Sequence, residues 1–340
     1  MAMALNEALK RNQRSDILWM KLGGIYYRQR RFSEALASFN RVTEHNGRHD
    51  RAWNGRGLAL MALGRTEEAL LSFRRALENA PEEATYLYNQ GDALLSLGHY
   101  RASVDVFERA LRIDPDRAAT WAKLGQTFRR LERDEDAVNA YDRALALEAD
   151  YAWAWHGRGL ALNGLDKCEE AAACYEKAIA LENGVVWYYT SLIDVWVRME
   201  HIQEADRLTQ EMIERFPESS IVWSRRGQVL RRTKAYSAAV EAYDRALALD
   251  PMDAWSWNGR GLALAVLNRW DDALDAHETA TQLDGSDAWY WYNCGEAWLQ
   301  LDQPARAIER LQEGLKRDPN HEALNRLLAQ AQDRLRRDTL

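Results

Sequence analysis

Trp53-Asn54-Gly55-Arg56-Gly57-Leu58-Ala59-Leu60, followed by Ala69, Phe73, Ala76 and Pro81, decides the fold of this 340-residue chain. The same spacing of aromatic, glycine, small residue, aromatic, small residue and proline returns as Trp223, Gly227, Ala239, Tyr243, Ala246 and Pro251. Steps of 34 residues overlay Trp19, Trp53, Trp121, Trp155, Trp223, Trp257 and Trp291, with glycines in register four places on, from Gly23 to Gly295. Nine units fit without insertion, starting at Asp16, Asp50, Ala84, Ala118, Ala152, Val186, Ser220, Ala254 and Ala288. A fixed period of this size marks a solenoid of like pieces, none able to bury its apolar face alone. Apolar recurrence at three and four residues makes each unit two amphipathic helices joined by a turn such as Leu63-Gly64-Arg65.

The pattern resembles the tetratricopeptide repeat, and the resemblance covers residues 16–321. It implies an all-α, right-handed superhelical solenoid of helix-turn-helix repeats whose first helices line a concave groove. The expected organisation is a partial repeat or stub helix over 1–15, nine repeats over 16–321 and a capping helix over 322–340. In that last helix Leu324, Leu327, Leu328, Ala331 and Leu335 form one apolar stripe, as a closed solenoid end requires. The chain begins in mid-unit, so the stub is either a natural cap or the edge of a fragment cut from a longer multidomain chain. The sixth unit departs from the pattern: Ile193 replaces the small residue at the eighth place and Thr209 the second-helix ring. A local change in superhelical angle is expected there.

Composition narrows the function. Forty-five basic against 52 acidic residues give a net charge of −7, and 47% hydrophobic residues suit a packed chain. There is no apolar run near membrane-spanning length, and Met1 to Asp16 lacks a signal-peptide core, so no membrane and a cytoplasmic location are expected. Cys168, Cys174 and Cys294 have neither disulfide-framework nor zinc spacing and read as reduced thiols. Gly55-Arg56-Gly57 looks like part of a phosphate loop but falls within a helix, and no Gly-Lys-Ser/Thr follows. The dispersed histidines make no metal or nucleophilic site. The expectation is a binding protein without catalytic residues or cofactors.

The resemblance assigns ligand contact to the second, fifth, sixth, ninth, twelfth and thirteenth places of each unit. On this chain those places carry Lys21, Arg28, Arg51, Lys123, Arg129, Arg130, Arg198, Arg225, Arg231 and Arg232 against only Asp92, Asp194 and Glu296. The groove is thus expected at +7 within a chain of −7, a segregation that steers an acidic partner to one face. Trp153, Trp187, Trp255 and Trp289, with Tyr27, Tyr88 and Tyr292, are expected near the groove edge, and large rings beside arginines are what interface hot spots are made of. Asn54, His156 and Asn258 complete the candidate face.

A second period of 102 residues repeats Trp53 to Leu60 at Trp155 and at Trp257. Its mid-helix glycines Gly55, Gly157 and Gly259 are read either as dents in the groove or as points of close helix packing. Arg129, Arg130 and Arg231 are expected to be exposed. Neither the carboxylate clamp of chaperone adaptors nor a continuous asparagine ladder is present. Two functions remain: a scaffold binding an acidic, aromatic-containing, extended segment of another protein, and a single-stranded nucleic-acid binder using the same basic aromatic groove. Overall acidity counts against the second.

Overall fold

The computed structural model describes residues 15–338, so the expected stub helix over 1–15 lies almost wholly outside the described residues. The described residues form nineteen α-helices and no strand. The chain divides into two compact units, Met1–Asn183 and Gly184–Leu340. In the first unit the helices are α1 (Asp16–Arg28), α2 (Phe32–His45), α3 (Asp50–Ala62), α4 (Thr66–Asn79), α5 (Ala84–Ser96), α6 (Tyr100–Ile113), α7 (Ala118–Arg130), α8 (Asp134–Leu147), α9 (Ala152–Gly164) and α10 (Cys168–Leu181). In the second they are α11 (Val186–Arg198), α12 (Ile202–Arg215), α13 (Ser220–Arg232), α14 (Tyr236–Leu249), α15 (Ala254–Val266), α16 (Trp270–Leu283), α17 (Ala288–Gln300), α18 (Pro304–Arg317) and α19 (Glu322–Asp338). Odd-numbered helices up to α17 open a hairpin and even-numbered ones close it. Within each unit consecutive first helices pack on one another, whereas second helices pack mainly on first helices, with Arg310 of α18 also reaching Glu278 of α16 at 3.1 Å and α18 also packing on the capping helix α19. The first helices therefore form one continuous inner face in each unit.

Two local devices repeat along the chain. The indole Nε1 of Trp53, Trp121, Trp155, Trp223, Trp257 and Trp291 donates to the backbone carbonyl six residues upstream, at 2.8–2.9 Å. Each ring so ties its first helix to the connection before it and satisfies a carbonyl that the helix end leaves open. The turn inside each hairpin holds one residue at positive φ. Gly64 and Gly98 adopt it without a Cβ penalty, while Glu132 (φ 58°) and Lys234 (φ 64°) carry that conformation against their side chains.

The Gly-Arg-Gly motif is a joint between hairpins. A Cβ at Gly159 would come within 2.5 Å of the Tyr175 ring of its own hairpin, and one at Gly157 within 2.4 Å of the Tyr141 ring of the preceding hairpin. Between them, Arg158 Nε donates to Asp142 Oδ1 at 2.6 Å and Nη1 to Cys174 Sγ at 3.0 Å. Gly55-Arg56-Gly57 meets Phe39, Asn40 and Phe73 in the same way. Gly259-Arg260-Gly261 meets Tyr243, Asp244 and His277. The dent reading is corrected by this geometry: Gly55, Gly157 and Gly259 are filled from behind by a ring, and their missing side chains serve close helix packing.

In the sixth hairpin, α11 and α12 pack far less closely than the helices of the other hairpins. Ile193 and Thr209, both fully buried, occupy the two places that elsewhere hold glycine and a ring, or in the ninth hairpin Gly295 and Leu311. The departure shown is thus one of spacing inside the hairpin. At the chain's other end Leu324, Leu327 and Ala331 of α19 are buried in a cluster with Trp291 and Leu311, and Arg334 Nη1 donates to the Leu299 carbonyl at 2.9 Å. No described helix is long and apolar enough to cross a membrane.

Candidate functional site

The inner face of the first unit carries Lys21, Arg28 and Arg51 exposed on α1 and α3, with Arg130 exposed at the end of α7. Lys123 is committed elsewhere: its Nζ lies 2.7 Å from Asp92 Oδ1 and 5.6 Å from the Trp153 ring centre. Trp153 in turn meets Tyr141 edge-on at 6.3 Å. The second unit repeats the arrangement, with Arg225 Nε 2.8 Å from Asp194 Oδ1 and its guanidinium 4.8 Å from the Trp255 ring centre. Trp255 meets Tyr243 at 6.1 Å. The expected net of +7 already subtracts Asp92 and Asp194, so these pairs leave it unchanged; what they do is tie Lys123 and Arg225 to acids of the preceding hairpin, so that neither is a free cation for a partner. Burial raises the carboxyls of Asp194 and Glu296 above their usual range, and among the described residues no cation pairs with Glu296.

Asn54 and Asn258 are also engaged within the fold. Asn54 Oδ1 accepts from Asn89 Nδ2 at 2.8 Å, and Asn258 Oδ1 accepts from Asn293 Nδ2 at 2.9 Å and faces His277 Nδ1 at 2.9 Å. His156 is half-buried 5.4 Å from the Tyr175 ring centre. Burial, aided by Arg129, pushes its pKa down to about 4, so it is neutral at physiological pH. Tyr88 lies under the Arg117 guanidinium at 4.5 Å and against Phe107 at 6.0 Å. Among the expected edge rings, Trp187 and Trp289 are open, at 59% and 53% exposure. Trp289 stands edge-on to Tyr292 at 5.5 Å and to His321 at 5.0 Å.

Arg28, Arg130 and Arg232 are exposed, and no ion pair among the described residues engages them. The expectation of exposure is corrected for Arg129 and Arg231. Both are half-buried, with Nε shielded from water and without a hydrogen-bond partner. The same holds for the side-chain oxygens Gln126 Oε1 and Gln228 Oε1, one helical turn earlier. A count of charges passes over these glutamines; their signal in the sequence is the recurrence of Gln-x-x-Arg at a spacing of 102 residues.

In the second unit a cavity of about 590 Å³ opens beside Trp187, Arg225, Met252, Trp255 and Tyr290. Asp250, Asp253 and Asp284 rim it and accept backbone N–H groups of Met252, Trp255 and Ser286 at 3.0–3.2 Å. Cys174 and Cys294 are buried and Cys168 half-buried, and burial pushes the Cys294 thiol up to about 12. No metal-ligand cluster occurs among the described residues.

Sequence profiles described as tetratricopeptide or TPR repeats match residues 2–47, 25–84, 54–118, 88–152, 154–184, 227–267 and 264–331. The chain belongs to the tetratricopeptide repeat family. No curated protein matches it. Among solved structures it is similar to a chain of the APC/C hetero-tetramer Cut9-Hcn1, with TM-score 0.60 and 20% identity over 88% of this chain and 59% of that one. It is also similar to yeast Tom70, with TM-score 0.52 and 14% identity over 99% and 92%. MamA from Desulfovibrio magneticus RS-1 follows, with TM-score 0.46 and 22% identity over 48% and 93%. At these identities the likeness is one of fold, a tetratricopeptide array of paired helices.

Proposed function

We propose that this tetratricopeptide array is a non-enzymatic protein-interaction scaffold whose first-helix face binds an extended, acidic, aromatic-containing segment of another protein. The observation that carries the reading is, on the first helices of the second unit, the exposed Arg232, which no ion pair among the described residues engages, together with two open indoles, Trp187 and Trp289; the first helices of the first unit carry Arg28 and Arg130 in the same state. Cations left without an internal partner attract carboxylates, and open rings serve as contact anchors. The second-unit cavity suits an aromatic side chain better than a carboxylate, since its aspartate rim repels negative charge. In the second unit, acidic residues of the partner then meet Arg232 while a ring enters beside Trp187. The similar chain from the APC/C hetero-tetramer Cut9-Hcn1 is itself part of a protein assembly.

The test compares a random glutamate–tyrosine copolymer, polyglutamate and oligothymidylate on the whole chain by fluorescence anisotropy. The copolymer is expected to bind best and to tolerate salt, because ring contacts are not screened. Nucleic-acid affinity would instead fall steeply with salt as counterions are released. Arg28→Glu with Arg130→Glu should abolish copolymer binding while shifting stability by no more than about 0.5 kcal/mol. Trp187→Ala with Trp289→Ala should weaken it by about 2 kcal/mol. Glu169→Lys with Glu170→Lys, exposed on α10, is the control. Loss of binding in that control with full binding in the groove variants would put the site on the wrong face, and preferred, salt-sensitive binding of oligothymidylate would favour the nucleic-acid reading.

A further inference from the structure

Among the buried side-chain atoms without a hydrogen-bond partner, four form two matching pairs, one on the first helices of each unit. Gln126 Oε1 and Arg129 Nε lie on α7; Gln228 Oε1 and Arg231 Nε lie on α13. Residues three apart on a helix share one face, so each pair sets an acceptor beside a donor. Behind each guanidinium stands a buried tyrosine, Tyr141 beside Arg129 and Tyr243 beside Arg231. Tyr243 is fully buried. The rings reach these positions because Gly157 and Gly259 leave room for them. A buried polar group without a partner is costly to the free chain and is a reason to look for a missing ligand. The arrangement occurs twice at equivalent places, while α1 carries Gly24 and Tyr27 at the corresponding places and lacks it.

The donor and acceptor in each pair narrow the ligand. A phosphate offers acceptors only and would leave the glutamine oxygen unmet, and a carboxylate has the same defect. One residue of an extended chain turns its own N–H and C=O to the same side, and these match Oε1 and the Nε–H group. We propose that Gln126 with Arg129 in the first unit, and Gln228 with Arg231 in the second, are two equivalent sites that each hold the N–H and C=O of one residue of an extended polypeptide. The glutamine oxygen accepts that residue's N–H and the arginine Nε–H donates to its C=O. Both side chains are long and turn about their terminal torsions to meet the strand. This rests on the proposed peptide-binding role and adds to it a sequence-independent grip in each unit, with side-chain preference left to the exposed arginines and, in the second unit, to the open indoles.

The experiment uses a peptide selected on the whole chain from a displayed library of random short peptides. The synthetic peptide is then N-methylated at one backbone position at a time. Gln126→Leu and Gln228→Leu remove the acceptors at nearly constant volume, with Gln126→Met and Gln228→Met as second replacements. Each variant is expected to bind the parent peptide about tenfold more weakly, the size of one lost hydrogen bond in a shielded site. One N-methylation should cost about tenfold on the unaltered protein and nothing further on the Gln126 variants, and another should couple likewise to Gln228. A merely structural role for the glutamines would not produce that coupling. The variants should melt at or above the parent temperature, since each removes an unpaired buried oxygen. If every N-methylation loss persists in full on both variants, the amide sites are overturned while the peptide-binding role stands. If no peptide is enriched and oligothymidylate binds with steep salt dependence, both fall.

Discussion

The sixth and seventh hairpins, both in the second unit, solve one packing problem in opposite ways. In the seventh, Gly227 gives up its side chain so that the Tyr243 ring can fill the space between α13 and α14, where a Cβ would come within 2.8 Å of the ring. In the sixth, the bulk stands on the first helix as Ile193 and the second helix offers Thr209, with α11 and α12 set further apart. Both sets of residues are buried. The family pattern at these two places is therefore a rule about shared volume, and glycine with a ring is one way of meeting it. The eighth hairpin gives a third version, with His277 behind Gly261.

The largest expected effect tests whether volume is shared. Ile193→Gly alone should cost about 3–5 kcal/mol in urea unfolding, through lost burial and lower helix propensity. Adding Thr209→Tyr should restore most of that loss; a double variant no more stable than the single one would show that the two places do not share one space. Next is the histidine. Burial lowers the His277 pKa from 6.5 to about 4, so the unfolded chain takes up that proton first. The His277 contribution to stability is complete above pH about 6.5 and falls away as pH drops to about 4, on the order of 2–3 kcal/mol. Melting curves across that range should show His277→Phe losing less stability than the parent, and equal slopes would mean that the imidazole is protonated in place. The smallest effect is Gly227→Ala, expected to cost about 1–2 kcal/mol although alanine is the better helix former. A gain in melting temperature would show that the Tyr243 ring yields freely.

The helical pairing was legible in the sequence because it rests on local periodicity: apolar spacing within one helix and turn residues between two. The starts of the first helices coincide with the 34-residue register for the same reason. Contacts that join one hairpin to the next were not legible. Lys123, Arg225, Asp92 and Asp194 all counted as groove charges, yet that they pair with one another across about one repeat was not visible. Gly157 could be read as a dent until the neighbour behind it, Tyr141, was known. Gln126 and Gln228 carry no charge and so left no mark on an electrostatic census, although their orphaned oxygens set them apart in three dimensions.

The tryptophans give the molecule an optical division of labour. Among the described residues six indoles are seen to donate to connection carbonyls, so their emission reports whether those first helices are still tied to the connection before them. Trp187 and Trp289 stand in water, where a collisional quencher such as acrylamide reaches them first. Quenching of the free and occupied chain would then follow occupancy on one population of rings and unfolding on the other, without any added label.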